Sequence, residues 1–161
     1  MKYRECLFLS SRILLVAVLC GIGLLSISCG SSKDKHLTRG EDYLQKRKFQ
    51  EALMEFRSAV EIDKDSAAAH WGLARAYENL GQFYETVGEL QKVSELNPEN
   101  LDAKTKLGNY FLASVPSQTD ETQKILDDIF ARNPNFIEAH VLKASLLTVQ
   151  NKPEKRSSRH L

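Results

Sequence analysis

AAAHWGLARAYENLGQFYETVGELQKVSELNPEN, residues 67–100, is the stretch that decides the fold. Apolar side chains recur along it every three or four places and do not alternate, the pattern of helices buried along one face. The stretch also resembles its neighbours at a spacing of 34 residues. Gly40, Tyr43, Phe49, Ala52, Phe56 and Ala59 stand one period before Ala74, Tyr77, Phe83, Thr86, Leu90 and Val93, and Gly108 and Phe111 follow one period later. A fixed period of this order marks a stacked-repeat architecture, in which each unit buries its face only against its neighbours. Pro98 and Pro134 close two of the periods, because the residue before a proline is pushed out of helical geometry. Lys64 stands at that place in the first period.

Working outward, the spacing predicts helices over 34–46, 49–62, 67–80, 83–96, 101–114, 118–132 and 136–150. Gly81 and Lys46-Arg47-Lys48 mark tight turns inside the first two pairs. Ser66, Asn100 and Asn135 are the expected N-caps, with Glu138 completing a capping box on Asn135.

These positions resemble the tetratricopeptide repeat (TPR), whose helix pair carries a Trp-like residue, Leu-Gly, Tyr, Ala, Phe, Ala and then Pro. The resemblance covers about residues 33–152. It implies an all-α, right-handed solenoid of antiparallel helix pairs, with a TPR domain over 36–150 and a polar tail over 151–161. Repeats fall at about 33–66, 67–100 and 101–136, with a partial one at 137–152; extra residues of the third are absorbed around Ser114–Ser117. In this scheme Gly40, Ala74 and Gly108 are small where the two helices of a repeat approach. Tyr43, Tyr77 and Phe111 fill the space between those helices, and Ala52 and Ala59 sit where the next repeat stacks.

The last helix is rich in apolar residues (Ile137, Val141, Leu142, Leu146, Leu147), and no apolar stripe follows it. A solenoid ends on a polar outer side. Two expectations stay open: a longer array cut short, favoured by Val141 and Val149 on the outer side, or a single helix that is itself the solvating cap.

The front of the chain is of another kind. Lys2, Arg4 and Arg12 precede an uncharged apolar run, Ile13–Ile27, and then Ser28, Cys29 and Gly30. A basic start, a short apolar run and small residues describe a secretory signal; the run falls short of the roughly 20 residues of a membrane-spanning helix. Leu25–Gly30 resembles a bacterial lipobox, with Ser28 as the small residue before the lipidated Cys29. The usual Leu stands one place early, at Leu25, and Ser26 occupies its position. The resemblance implies a lipoprotein signal peptide over 1–28, acyl chains on Cys29 and a polar tether over 29–35. Each buried methylene of such chains adds about 0.8 kcal/mol to membrane attachment. With no Asp after the Cys, the expected place in a two-membrane bacterium is the periplasmic face of the outer membrane. Cys6 and Cys20 leave with the signal, so one cysteine remains and no internal disulfide forms. Residues 29–161 carry 19 Lys and Arg against 20 Asp and Glu, which excludes the basic excess of a nucleic-acid-binding domain.

No catalytic constellation is present in the sequence. His36, His70 and His140 recur in register at the Trp-like position and read as packing residues, with no second ligand three or four places away. There is neither a Ser/His/Asp or Cys/His arrangement nor a Gly-rich phosphate loop before a helix. The expectation is therefore no enzyme, no cofactor, no metal and no small-molecule substrate.

What remains is a surface. The TPR resemblance implies a concave groove lined by the first helices of the repeats. Leu37, Glu41 and Leu44, then Trp71, Arg75, Glu78 and Asn79, then Thr105, Asn109 and Leu112, and finally Val141 and Ser145 fall at its positions. Glu41, Trp71, Arg75, Glu78, Asn79, Thr105 and Asn109 are the candidate partner-binding residues. Trp71 leads, since Trp and Arg are enriched at binding hot spots; its bland alternative is to shield the neighbouring helix. Glu41 and Gly72 stand where chaperone-binding TPRs need Asn, so a carboxylate-clamp ligand is not expected. The expected function is a membrane-anchored protein-interaction adaptor of the bacterial cell envelope, binding another envelope protein or a segment of one. The alternatives are a structural subunit of an envelope assembly (pilus, secretion, outer-membrane or exopolysaccharide export machinery) and a truncated, non-functional fragment.

Overall fold

A computed structural model describes residues 30–114 and 117–151, and everything in them that is regular is helix: α1 Gly30–Gln45, α2 Phe49–Ile62, α3 Ala67–Asn79, α4 Phe83–Leu96, α5 Leu101–Ala113, α6 Thr119–Arg132 and α7 Ile137–Asn151. Successive helices pair as α1/α2, α3/α4 and α5/α6, and α7 lies against α5 and α6. The expected signal peptide, Cys29, and the tail from residue 152 lie outside the described residues.

The helices end where the sequence supplies a reason. Ser66 and Asn100 cap α3 and α5, their side-chain oxygens accepting from the N–H of Ala69 (3.4 Å) and Ala103 (3.0 Å). Each boundary between repeats is a side-chain-bonded turn: Asp63, Asn97 and Asn133 accept from the N–H two residues on. Here one expectation fails. Asn135 does not cap α7; it donates its own N–H to Asn133 Oδ1 at 3.1 Å. The third repeat is two residues longer, so Phe136, which offers no side-chain acceptor, takes the place of Ser66 and Asn100.

The turn inside repeat one needs a left-handed residue and finds Arg47 (φ +57°); the same position in repeat two is Gly81 (φ +72°). Glycine adopts this conformation freely, whereas a residue with a Cβ is strained there by about 1 kcal/mol. At the other end, α1 begins at Gly30, so residues 30–35 are helix and not the tether expected over 29–35. Lys33 helps to hold them, its ammonium 2.7 Å from Asp63 at the end of α2. That contact holds the Asp63 carboxyl below its ordinary value.

The core is three stacked clusters, not one ball. Leu44, Leu53, Phe56, Leu73 and Tyr77 form the first, Leu90, Val93, Leu107 and Phe111 the second, and Leu126, Ile129, Leu142 and Leu146 the third. Phe56 is the wedge of the first. A Cβ added to Gly40 would lie 2.6 Å from its ring, and one added to Gly72 would lie 2.3 Å away. Two glycines on α1 and α3 thus open the slot that the ring fills. Burying such a side chain stabilises by about 1.5–3 kcal/mol. Gly108 is small for a reason beyond the expected one. The side chain it makes room for is Leu142 of α7, 2.6 Å from an added Cβ, so it serves stacking between repeats as well as the approach of its own pair, where the Thr122 hydroxyl of α6 lies 3.4 Å from its carbonyl.

Candidate functional site

The first helices of the repeats, α1, α3, α5 and α7, present neighbouring faces, and a concavity of about 470 Å³ lies across the last three. Its apolar part is Trp71, Ile137 and Val141; Ile137 and Val141 remain 73% and 62% exposed. Asp102, Lys106, Asn109 and Glu138 form the polar part. Trp71 is half-buried and packs on the second core cluster, so the indole both shields its neighbour helix and faces the groove. Thr105 contributes a wall, with its hydroxyl turned inward to donate to the Leu101 carbonyl at 2.8 Å.

A smaller concavity of about 260 Å³ lies further along, between α1, α3 and the start of α2, and holds Arg75 and Asn79 with Leu44, Arg47 and Phe49. Leu44 shows only its edge there. It is buried in the first cluster and belongs to the core, not to the groove surface expected of it. Asn79 is tied to its own helix, donating to the Arg75 carbonyl at 2.8 Å.

Ion pairs stitch adjacent repeats along the same surface. Arg75 donates to Glu41 at 2.6 Å, and Lys106 reaches both carboxylate oxygens of Glu78 at 2.8 Å. Half-exposed pairs of this kind stabilise by 1 kcal/mol or less. Their larger effect is on recognition, since two groove cations are already neutralised.

The seven candidate residues are therefore sorted by the structure. Trp71, Thr105 and Asn109 share one concavity, Arg75 and Asn79 the other, and Glu41 and Glu78 hold cations along the same surface. Sequence reasoning missed Asp102, Lys106, Ile137 and Glu138. A signal existed for one pair: Asp102 and Glu138 occupy the same position of successive repeats. A larger hollow of about 760 Å³ opens on α4 and α5 around Phe83, Tyr84 and Tyr110, and none of the candidate residues lines it.

The histidines pack as expected, His70 buried and the His140 ring 4.9 Å from that of Phe130, and two of them also link helices. His36 Nδ1 lies 2.6 Å from Glu55 of α2, and His70 Nδ1 lies 2.6 Å from Glu89 of α4. Lys104, at the same position of repeat three, pairs with Asp128 of α6. His70 also places Nε2 2.9 Å from the Lys64 carbonyl, and His140 places Nε2 2.9 Å from that of Pro134. A polar ring at a buried contact requires hydrogen-bond partners, which His36 and His70 find on the second helix of their pair. Among the described residues, no group of three His, Cys, Asp or Glu side chains is arranged to hold a metal.

Known proteins share this arrangement. Residues 40–81 match the family model described as TPR repeat. The mouse protein O-mannosyl-transferase TMTC3 is 24% identical over 129 residues, covering 71% of this chain and 14% of the transferase. The bovine DnaJ homolog subfamily C member 3 is 26% identical over 121 residues, covering 74% of this chain and 24% of the relative. The chain thus spans under a quarter or so of the length of either. Among solved structures, the first TPR of Spaghetti (RPAP3) bound to the HSP90 peptide SRMEEVD superposes with a TM-score of 0.65 at 19% identity, covering 74% of this chain and 94% of that one. The helix pairs, the 34-residue period and the matched repeat at 40–81 together give the described residues the all-α tetratricopeptide-repeat fold.

Proposed function

We propose that this chain is a lipid-anchored adaptor of a bacterial cell envelope, which holds a segment of a partner protein across Trp71, Ile137 and Val141 and catalyses no reaction. The observation that carries the reading is the concavity across α3, α5 and α7, with apolar side chains exposed at its floor. An exposed apolar surface within a polar rim is the usual mark of an interaction site. The occupant follows from the electrostatics. The RPAP3 domain is bound to a peptide ending in acidic residues, whereas here Arg75 and Lys106 are engaged by Glu41 and Glu78. Asp102 and Glu138 add negative charge to the rim. The groove suits an apolar anchor flanked by neutral or basic residues.

The anchoring part rests on the sequence of residues 25–30 and on Cys29. A Trp71→Ala/Val141→Ser variant, compared with wild type in a pull-down from detergent-solubilised envelopes, tests the groove: a partner lost from a still-helical variant supports it, and a partner retained by both overturns it. Cys29→Ser tests the anchor separately. Its expected result is release from the membrane fraction and loss of labelling by an alkyne fatty acid; retention of both signals would refute lipidation.

A further inference from the structure

We propose that the hollow between α4 and α5 is a second binding site, for an arginine side chain of a partner protein, received among the rings of Phe83, Tyr84 and Tyr110.

The site is a cluster of rings with no charge of its own. Its volume of about 760 Å³ lies within the range of pockets that take small ligands, and it shares no lining residue with the groove. The Phe83 ring stands 5.6 Å from that of Tyr84 at 77° and 5.1 Å from that of Tyr110 at 61°. Tyr84 is 85% exposed, so the faces of its ring are open. An aromatic face attracts a cation, and inclined rings around a hollow are a form in which proteins hold one. Among the described residues that line the hollow none is charged. Gln91 and Gln118 bring amide oxygens that accept from a guanidinium.

The preceding repeat indicates which cation. The hollow lies at the junction of repeats two and three, and α2 and α3 form the same junction one period earlier. There Arg57 lies over the Tyr77 ring, its guanidinium carbon 5.8 Å from the ring centre, and donates to the Tyr77 hydroxyl at 2.9 Å. One period on, Gln91 replaces the arginine and Phe111 the tyrosine. Tyr84 and Tyr110 stand where the earlier junction has Gln50 and Ala76. Gly88 stands for Met54, and a Cβ added to it would meet nothing within 4 Å. The second junction has thus lost the chain's own guanidinium and gained two rings and open space.

Surrounding charge favours the same ligand. α4 carries Glu85, Glu89 and Glu95 against Lys92. The lysines of α5, Lys104 and Lys106, are already paired with Asp128 and Glu78. Arginine is preferred to lysine because its planar, weakly hydrated guanidinium stacks on rings, whereas an ammonium would lose hydration that no lining carboxylate replaces.

The probe is the acetylated and amidated pentapeptide Gly-Ser-Arg-Ser-Gly, titrated into the isotope-labelled full chain in maltoside detergent and followed by backbone amide NMR. Saturable shifts are expected at Tyr84, Gly88 and Gln91. Affinity should fall about tenfold when citrulline, the neutral isostere, replaces the arginine, and about fivefold in Tyr84→Ala. Gln91→Arg, which gives this junction the residue of the earlier one, should abolish binding. Trp71→Ala should leave it unchanged, so failure of the groove reading does not touch this one. Tyr84 and Gln91 are exposed, and a circular-dichroism melt checks that their variants stay folded. No saturable shift with peptide at about 20 mM, equal binding of the citrulline peptide, or full binding to Tyr84→Ala would each overturn the inference. Three further results would overturn it by assigning the hollow elsewhere. The same shifts with choline and not with the peptide would assign it to a lipid headgroup. Self-association abolished by Tyr84→Ala would assign it to a second copy, and binding gained only in Val115→Gly/Pro116→Gly would assign it to the chain's own connection.

Discussion

His70 and His140 hold the same place in their helices and face the same kind of carbonyl, yet His70 is buried and His140 is exposed. The difference extends to whole helices. α3 is covered on one side by α2 and on the other by α4, whereas α7 meets α5 and α6 and shows Ile137, Val141 and Leu147 to solvent. The comparison teaches that a position in a repeat has no environment of its own. Its burial is supplied by the next helix, as expected where stability is a sum of units and nearest-neighbour interfaces.

Truncating the centre of the better-covered region should cost most. Phe56→Ala removes the ring that fills the slot between Gly40 and Gly72, and urea denaturation should show a loss of about 4 kcal/mol. A loss under about 1 kcal/mol would mean that the first and second repeats do not depend on their mutual wedge. Within α7 itself, Leu142 is fully buried and Leu147 is half-exposed. Leu142→Ala should cost about 3 kcal/mol and Leu147→Ala about 0.5 kcal/mol, and equal costs would show that something covers Leu147.

The histidines give a finer version. His70→Ala strips the partner from part-buried Glu89 and should destabilise by about 2 kcal/mol, while His140→Ala should cost about 0.5 kcal/mol by the same measurement. The turns offer a change of opposite sign. Arg47→Gly gives repeat one the left-handed glycine that repeat two has at Gly81, and the thermal midpoint should rise by the equivalent of about 1 kcal/mol.

The smallest effect concerns acid. Hydrogen bonding from Lys104, and then from Arg132, holds the Asp128 carboxyl below its ordinary 3.8. A value depressed in the folded state means that the stabilisation is present above 3.8 and disappears as pH falls through the folded value. Stability followed from pH 6 to pH 2 should therefore fall less steeply below about pH 4 in Asp128→Asn than in the wild type. Identical slopes would show that this pair adds nothing, as is common for ion pairs open to water.

Much of this was legible in the chain because local chemistry decides it. The 34-residue period gave the helix pairs, and the bounds fell within a residue or two for α2 to α7, since turns and caps at Ser66, Gly81, Asn97-Pro98 and Asn100 are set by neighbours a few residues away. Two misreadings came from the ends of that reach. The polar residues 30–35 join α1, where Lys33 meets Asp63 thirty residues away, and Asn135 misses its capping role because the longer third repeat shifts the register. Of the candidate groove residues, Trp71, Thr105 and Asn109 line one concavity. That Arg75 and Lys106 would already be paired could not be found from position in the repeat.

The sequence by itself determined the repeat, its helices, the small residues at close approaches and a cysteine placed as in a lipobox. Only the tertiary structure decided which of those residues remain available. Stacking brings Glu41 to Arg75 and Glu78 to Lys106, sinks Leu44, and leaves Ile137, Val141 and Leu147 uncovered. The physical reason is that periodicity fixes the direction in which a side chain points, within a few residues of backbone. Exposure and charge neutralisation depend on what the following repeat places opposite it.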